Sequence, residues 1–514
     1  MHSPATRRQR EAPELLRARI EEFLAAAREP TFLEAGENPI PISQGGYSLE
    51  DKAGGCLLHV WGETGSVVRR ITRLGDAGRS KLILRTSLFG GREGVVELVD
   101  RAASGSRVDR EAGRDRFREQ FRLLLERELP GWKLRRLSTA PDLQRSLSPI
   151  YPRALLTQGS RAVAAIAASP ESGSIGAEHM LTFGLIWLDQ LRAEHGRRVV
   201  SGLKLFVPRG RAETVARRLD CLDADAARFE LYEFDPKRNV RLFEPGERGN
   251  RSSALPSCLA PAEPEGTMAE TLRTLRASCD IEVVPRVDGL LSLRVRGIEF
   301  AEMSRGVLAF GLGEHRLARE KELPLVRKLA REIARLRRSD TPDAANPLYR
   351  SSSESWLESQ IRRNPRALDS SLRLSPVYGQ TGSTEGADRG IVDLLLLDST
   401  NRLVVVEVKA GEDIHLPLQG LDYWARVRLH QQRGDFMRKG YFPGIEISPD
   451  APRLVLVAPA IGFHPTTETL LRWLAPEIPV ERVGLAADWR ERIVVSFRKK
   501  GSTRPGLGPV DTSG

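Results

Sequence analysis

The chain contains 514 residues with a mass of 57.1 kDa, which is too much for one hydrophobic core and predicts three or four domains rather than a small stapled scaffold. Its 40% hydrophobic and 29% charged residues are typical of a soluble globular protein, and no apolar run approaches the roughly 20 residues that span a bilayer. Lys and Arg outnumber Asp and Glu by 79 to 68, and the formal charge of +11 favours a polyanionic partner without identifying one.

The cysteines and the N-terminus bear on the compartment. Cys56, Cys221, Cys258 and Cys279 form no C-x-x-C or Cys/His metal spacing, so neither a zinc site nor a disulfide framework is predicted. The basic start, MHSPATRRQREAPELL, is not followed by the apolar segment of a secretory signal. We therefore expect a cytoplasmic protein with reduced thiols and no membrane partner.

Residues 1–137 are predicted to form an N-terminal helix followed by an antiparallel β unit. Apolar residues recur at helical spacing over 10–28. Short β-branched and leucine-rich runs, separated by Gly- and Asp-containing turns, then predict an antiparallel sheet up to about residue 103. A second helical pattern and a strand-like run extend this part to residue 137.

Residues 150–249 predict a central α/β domain of unknown role, with a helix over 179–195, a strand over 199–208, a helix over 212–222 and a strand over 228–234. Its outline resembles a second nuclease-like unit. It contains no Asp followed by Glu-x-Lys, however, which favours a structural or substrate-binding domain. Residues 250–267, rich in Ser, Pro and Ala, are predicted to be a linker.

Residues 280–345 are predicted to form β strands followed by a basic amphipathic helix. Within ELPLVRKLAREIARLRR, helical spacing puts Leu325, Leu329, Ile333 and Leu336 on one face and most of the basic side chains around the remainder. A solvated face explains those charges better than a phosphate-tracking face, although both interpretations stay open.

Residues 346–500 carry ionisable side chains inside very apolar runs. A helix over 353–363, stopped by Asn364-Pro365, is followed by two predicted strands, IVDLLLL and RLVVVEVKA, joined by a DSTN turn. Because side chains alternate along a strand, Glu407 and Lys409 share one face, and pairing through the hairpin brings Asp393 beside them. A divalent cation would offset the repulsion between the two carboxylates.

Such a site suits phosphodiester hydrolysis. Mg²⁺ prefers one or two carboxylates with several waters, lowers the pKa of a bound water and neutralises charge in the transition state. Lys409 would orient or activate the attacking water, or stabilise the developing negative charge.

Asp393, followed after thirteen intervening residues by Glu407-Val408-Lys409, resembles the signature of the PD-(D/E)xK phosphodiesterases, which have the restriction-endonuclease-like fold. The order of motifs is most similar to the C-terminal nuclease domain of the mismatch-directed NucS/EndoMS endonucleases. The matching residues are Leu357-Glu358, Asn364-Pro365, Gly390 with Asp393, Glu407 with Lys409, and Gln419 with Tyr423.

This resemblance covers about residues 352–426 and implies a mixed β-sheet flanked by helices. It implies that Glu358 is an accessory acid reaching the metal, that the backbone carbonyl of Val408 is a further ligand, and that Gln419 and Tyr423 line the site. The proline of the eponymous motif is replaced by Val392, and residues 1–345 show no likeness to the mismatch enzymes. Fold and chemistry therefore carry over better than substrate does.

Several alternatives stay open. A salt-bridged strand pair would hold the Asp, Glu and Lys without catalysis, and His415 in the following loop is either a phosphate ligand or acid, or an ordinary hydrogen-bonding residue. The basic stretch after the site either tracks a nucleic-acid backbone, with aromatic rings stacking on bases, or is a solvated helix end with packed aromatics. The residues concerned are Tyr423, Arg426, Arg428, Arg433, Arg438 and Lys439.

Together these features predict a multidomain α/β and α+β protein that is a Mg²⁺- or Mn²⁺-dependent nuclease of DNA, an endonuclease or exonuclease in repair or defence. The expected partner is nucleic acid, DNA rather than RNA, and a homodimer is an open possibility. The alternative is a catalytically silent nuclease fold that binds nucleic acid or serves in assembly. Residues 501–514 are predicted to be a disordered tail.

Overall fold

The fold is described from a computed structural model, in which the chain forms two compact units. The first contains residues 1–109, 257–360 and 381–390, and the second contains residues 110–256, 361–380 and 391–514. The structure describes residues 12–34, 40–42, 46–52, 55–62, 65–78, 80–87, 93–100, 107–142, 146–170, 173–196, 199–235, 240–243, 255–260, 264–304, 306–312, 315–341, 346–350, 352–379 and 393–501.

The first unit begins with a helix packed on an antiparallel sheet, as the sequence predicts. Leu16, Ile20 and Leu24 recur at helical spacing on the buried face of α1 (Pro13–Ala26) and pack with Phe32 and Leu58 of the sheet. The seven strands lie in the order β2 (Ile40–Pro41), β1 (Pro30–Glu34), β7 (Glu93–Asp100), β6 (Lys81–Ser87), β5 (Gly65–Ala77), β4 (Gly55–Gly62) and β3 (Tyr47–Lys52).

A five-stranded antiparallel meander with two helices forms the other sheet of this unit. The helices are α5 (Gly266–Ser278) and α6 (Leu323–Leu336), the latter preceded by a 3-10 turn, Glu320–Glu322. The strands in sheet order are β14 (Glu282–Pro285), β15 (Leu291–Val295), β16 (Ile298–Ser304), β17 (Val307–Phe310) and β18 (Arg316–Leu317).

The predicted apolar face of α6 is right for Ile333 and wrong for Leu325. The helix buries Val326, Ala330 and Ile333, whereas Leu325 is 48% exposed and Leu329 and Leu336 are partly buried. The buried residues recur at helical spacing. The buried face is therefore rotated from the predicted one toward Val326 and Ala330.

This unit also contains α7 (Pro347–Arg350) and most of α8 (Ser353–Arg363), which forms as predicted and whose last three residues belong to the second unit. Trp356 of α8 is buried, and the guanidinium of Arg337 lies 4.6 Å from its ring centre. Arg337 is itself fully buried and donates hydrogen bonds to the carbonyls of Leu348 and Ser352. One of the predicted surface charges of the α6 segment is thus an internal anchor.

The second unit contains two six-stranded mixed sheets. The first has the order β8 (Lys133–Ser138), β9 (Arg153–Gln158), β10 (Arg161–Ala167), β11 (Val200–Pro208), β12 (Arg228–Phe234) and β13 (Val240–Leu242). Its helices are α2 (Arg107–Glu128), α3 (Gly173–His195) and α4 (Glu213–Leu219). The β10, β11 and β12 strands are parallel, and the other neighbours are antiparallel.

The second sheet has the order β19 (Tyr378–Gly379), β20 (Leu394–Leu397), β21 (Leu403–Val408), β22 (Arg453–Pro459), β23 (Val480–Leu485) and β24 (Val495–Lys500). Its helices are α9 (Pro365–Leu368), α10 (Leu416–Gln432), α11 (Asp435–Arg438) and α12 (Thr467–Leu471), with a 3-10 turn at Ala460–Gly462. Strands β20 to β22 are buried along their whole length, as strands covered on both faces are.

The structure is a mixed α/β arrangement of several sheets, in agreement with the coarse prediction of a multidomain α/β and α+β protein. Strand β8, within the predicted N-terminal unit 1–137, pairs with β9 of the central region. The central and C-terminal regions lie within one compact unit. None of the described helices is long and apolar enough to cross a membrane.

Strand β23 was not predicted, because its sequence, VERVGL, carries a Glu and an Arg at buried positions. Glu481 accepts hydrogen bonds from Arg453 at 2.8 and 3.0 Å and from Arg498 at 2.7 Å. Arg453 also donates to Asp369 at 2.6 Å, so each charge of this buried network has a partner.

Replacing Glu481 with Gln should destabilise the second unit by about 3 kcal/mol, since removing one member of a buried ion pair leaves the other charge uncompensated. Urea denaturation followed by tryptophan fluorescence would measure the loss. The matched control is Asp488→Asn, which removes an exposed carboxylate paired with Arg492 at 3.7 Å and should leave the midpoint nearly unchanged. Equal midpoints for the two variants would contradict a stabilising role of the network.

Candidate functional site

The hairpin of β20 and β21 brings Asp393 beside the Glu-Val-Lys stretch. Leu394 pairs with Val406, so Asp393, one residue earlier, lies level with Glu407. The backbone N–H of Val408 donates a 2.9 Å hydrogen bond to Oδ2 of Asp393. Asp393 is 6% exposed, and its Oδ1 accepts no hydrogen bond from a described residue.

Glu407 and Lys409 lie on one face of the chain at the end of β21, as alternation predicts. The Nζ of Lys409 is 3.5 Å from Oε1 of Glu407 and 3.9 Å from Oδ2 of Asp413. Glu407 is only 1% exposed, and Lys409 is mostly buried. The ammonium thus offsets part of the negative charge that two buried carboxylates bring to this strand end.

Helix α10 covers this face through a glycine. A Cβ added to Gly420 would come within 3.5 Å of the Glu407 Cβ and within 2.6 Å of a Leu456 methyl, so glycine lets the helix approach the sheet without displacing the Leu456 side chain. Gln419 precedes it, and its buried Oε1 accepts no hydrogen bond from the described residues. Tyr423, one turn further along α10, is half-buried.

The donor set suits a hard divalent cation. Two adjacent carboxylates, one with an open oxygen, and a buried amide oxygen without a donor are ligands or outer-sphere partners that Mg²⁺ and Mn²⁺ prefer. Burying an acceptor such as the Gln419 oxygen without a donor is costly, and a water or a hydrated cation would compensate it. These residues therefore fit the predicted ion.

The described residues contain one three-ligand cluster of acids and histidines, and it lies elsewhere, in the first unit: Glu299, Glu302 and His315. Its members are already engaged. Glu302 pairs with Arg286 at 2.9 Å and with His315 at 3.5 Å, and Glu299 accepts from Ser292. Ion pairing explains this cluster without a metal.

Two further predicted elements of the site stay predictions. Glu358 is 1% exposed on α8 and belongs to the first unit, whereas Asp393, Glu407 and Lys409 belong to the second. Its role as an accessory acid stays a prediction, as does metal binding by the Val408 carbonyl. Gly390 and Val392 lie outside the described residues.

The loop after Lys409 is anchored by helix α3, which sequence reasoning did not associate with the site. Nδ1 of His415 is 3.0 Å from the Thr182 hydroxyl, and its ring stacks on His179 with centres 3.6 Å apart. Phe183 meets the same ring edge to face at 5.7 Å. His415 is thus a hydrogen-bonded, packed residue, and only the run of aromatic and histidine residues in α3 hinted at these contacts.

The basic stretch divides into restrained and exposed side chains. Arg428 donates to Gln431 at 2.8 Å and to the Pro449 carbonyl at 3.0 Å, and Arg438 pairs with Asp435. Arg433 and Lys439 are exposed, and Arg426 is half-buried. The neighbouring rings Phe436, Tyr441 and Phe442 are buried against one another, so they are packed aromatics rather than a base-stacking platform.

The chain matches no profile of a known protein family, no curated protein and no solved structure. The chemistry of the site therefore follows from the residues that it contains. Those residues are two carboxylates, one ammonium and one amide at the end of a buried hairpin.

His415 should make the protein less stable in acid. Burial, with the positive charge of Arg218 nearby, lowers its pKa from 6.5 to about 4. The unfolded chain therefore binds more protons than the folded one between these values, so stability is full above about pH 6.5 and falls as the pH decreases toward 4. From pH 7 to pH 5 the loss should be about 1 to 2 kcal/mol.

Urea denaturation at both pH values would measure this loss in the wild type and in His415→Asn, which keeps a polar side chain beside Thr182. The variant should lose less stability on acidification. His464, whose pKa is also lowered by burial, contributes in both proteins and cancels in the comparison. Identical pH slopes would contradict the assignment.

Proposed function

We propose that the protein is a metal-dependent nuclease that hydrolyses phosphodiester bonds of DNA, using a restriction-endonuclease-like site at the end of the β20–β21 hairpin. The observation that supports this most directly is the hydrogen bond from the Val408 N–H to Asp393, which holds this carboxylate level with Glu407 and leaves one oxygen open. A pair held only as a salt bridge would direct the acids at the lysine, and Asp393 is directed at the backbone.

Each side chain has a part in this chemistry. Asp393 and Glu407 would hold the cation, and Mg²⁺ or Mn²⁺, when bound, would lower the pKa of a water and neutralise phosphoryl charge. Lys409, held 3.5 Å from Glu407, places an ammonium where it orients the attacking water or stabilises the developing negative charge. Gln419 presents an open amide oxygen to a water or to the ion's hydration shell.

DNA is the expected substrate because the reaction acts on a polyanion and the chain carries a formal charge of +11. The exposed Arg433 and Lys439 lie beyond the C-terminal end of α10, the helix that covers the site. They supply sequence-independent phosphate contacts, which fits an enzyme whose specificity is set elsewhere.

Asp393→Asn and Lys409→Met should each lower cleavage by at least about 100-fold, since each removes a group that acts on the reacting phosphate or its water. A panel of single-stranded, duplex, mismatched and branched DNA with Mg²⁺ or Mn²⁺ would provide the measurement. Asp488→Asn, an exposed acid of the same unit, should retain full activity and controls for a general loss of charge.

Metal binding should be visible without cleavage. A ligand that prefers the folded state stabilises it, so Mn²⁺ should raise the melting temperature of the wild type and of Lys409→Met, but not of Asp393→Asn. Wild-type protein that neither cuts any DNA of the panel nor responds to Mn²⁺ would leave the alternative, a catalytically silent fold that binds nucleic acid.

A further inference from the structure

The two sheets of the second unit have the same connectivity. In each sheet, six strands follow one another in chain order. The first strand is antiparallel to the second and the second to the third, the third, fourth and fifth are parallel to one another, and the sixth is antiparallel to the fifth. Helices α3 and α4 make the crossovers of the first sheet, and α10 and α12 make those of the second. A shared order, direction and helix placement indicates two copies of one fold.

A backbone contact aligns the two copies residue by residue. The N–H of Lys409 donates to the Val457 carbonyl at 2.9 Å as the chain leaves β21. The N–H of Ala168 donates to the Phe206 carbonyl at 3.0 Å as the chain leaves β10. The position of Lys409 in one copy is therefore that of Ala168 in the other.

The covering helices give the same alignment independently. A Cβ on Gly420 would meet Leu454, Leu456 and Glu407, and a Cβ on Gly184 would meet Leu203, Leu205 and Ile166. Each glycine thus lies over two neighbouring leucines of the central strand and one residue of the hairpin. Glu407 corresponds to Ile166, in agreement with the backbone contact.

The first copy has other side chains at the positions of Asp393, Glu407 and Lys409. Arg153, level with Ile166 in the β9–β10 hairpin, stands at the position of Asp393, so the three groups of the site are replaced by an arginine, an isoleucine and an alanine. Arg153 is 2% exposed and donates to the carbonyls of Ser148 and Ala140 at 2.6 and 2.5 Å. Arg153 brings a positive charge to the strand position that carries a carboxylate in the other copy, which disfavours a cation there.

The contacts that join the two copies are symmetric. Leu222 and Leu474 form an antiparallel bridge. Leu222 lies three residues after the end of α4, and Leu474 lies three residues after the end of α12. The N–H of Asp223 donates to Trp473, and the N–H of Ala475 donates to Cys221. Exchanging the copies converts one hydrogen bond into the other, as a two-fold axis would.

The helices beside this bridge pack with the same two-fold symmetry. Helix α4 packs against α10, and α12 packs against α3. An ion pair accompanies each contact: Arg218 with Asp422 at 2.7 Å, and Arg472 with Asp189 at 3.6 Å. The second unit is thus built as a dimer of one fold within a single chain.

We propose that this unit is a pseudo-two-fold nuclease pair with one hydrolytic centre, at Asp393, Glu407 and Lys409, and that it cuts one strand of duplex DNA per encounter. The proposal rests on the proposed function. Two-fold related copies present the same face to the two antiparallel strands of a duplex, so a pair with two intact centres would cut both. With an arginine in place of a carboxylate in one copy, only one strand is hydrolysed.

The first test follows supercoiled plasmid and a linear duplex labelled differently on each strand, with Mn²⁺ and enzyme below the substrate concentration. The expected result is an open circle, or one shortened strand, that accumulates before any double-strand product, which then appears only after a lag. The single-centre inference would be overturned if linear plasmid formed without a lag and if Asp393→Asn abolished its formation. That result would leave the proposed function intact. Cleavage confined to single strands would also overturn the single-centre inference.

A matched pair of glycine variants tests which copy carries the centre. Gly420→Ala places a methyl 2.6 Å from a Leu456 methyl and 3.5 Å from the Glu407 Cβ, and so pushes α10 away from the site. Gly184→Ala places a methyl 3.1 Å from Leu203 and 3.2 Å from Ile166 at the corresponding positions. Gly420→Ala should lose at least tenfold in cleavage and its Mn²⁺-dependent rise in melting temperature, whereas Gly184→Ala should retain both. Calorimetry should find one Mn²⁺ per chain at this affinity, lost in the folded variant Asp393→Asn.

Equal losses for the two glycine variants, or a second Mn²⁺ that survives Asp393→Asn, would contradict a single centre. A wild type that cleaves nothing and does not respond to Mn²⁺ would remove the proposed function and this inference together. Double-strand cutting without a lag would instead remove the inference alone, so the two failures can be told apart.

Discussion

The candidate site depends on the register of one short hairpin. Strands β20 and β21 pair Leu394 with Val406, and that pairing sets Asp393 level with Glu407 and within hydrogen-bond distance of the Val408 N–H. A slip by one residue would turn Glu407 and Lys409 to the opposite face of the sheet. The buried leucines and valines of both strands prevent that slip, because it would also exchange their packing partners. The buried apolar strands β20 and β21 thus fix the positions of Asp393, Glu407 and Lys409.

Buried charge is handled in two different ways within the same sheet. Around β23, Arg453, Glu481 and Asp369 compensate one another completely, which stabilises the fold and leaves no acceptor for a ligand. At the end of β21, the Lys409 ammonium lies 3.5 Å from Glu407 and 3.9 Å from Asp413, and the buried amide oxygen of Gln419 accepts no hydrogen bond from a described residue. Since a buried acceptor without a donor costs free energy, a bound water or other ligand would stabilise this strand end.

Local patterns predicted most elements but not the contacts between distant parts of the chain. Helix α8 and the hairpin strands follow from helical spacing, Asn-Pro and the DSTN turn, and alternation correctly placed Glu407 beside Lys409. Strand β23 was missed because its charges are buried in pairs that only tertiary structure supplies. The buried face of α6 was predicted only in part, because Val326 and Ala330 are buried where Leu325 was expected. The contact of His415 with α3 joins residues 233 positions apart, beyond the reach of any periodicity.

The sequence outline of the central region resembles a nuclease-like unit, and the absence of Asp followed by Glu-x-Lys favoured a structural or substrate-binding domain. The structure adds that this region and its neighbour share one strand order and one helix placement. Where the second sheet has Asp393, the first has Arg153, whose hydrogen bonds to backbone carbonyls satisfy a buried charge without a metal. The helices of the two sheets have to match, because α3 holds the loop that follows Lys409 and α4 holds α10 through the ion pair of Arg218 with Asp422. Packing against the helices of the first sheet therefore supports the elements that carry the candidate site.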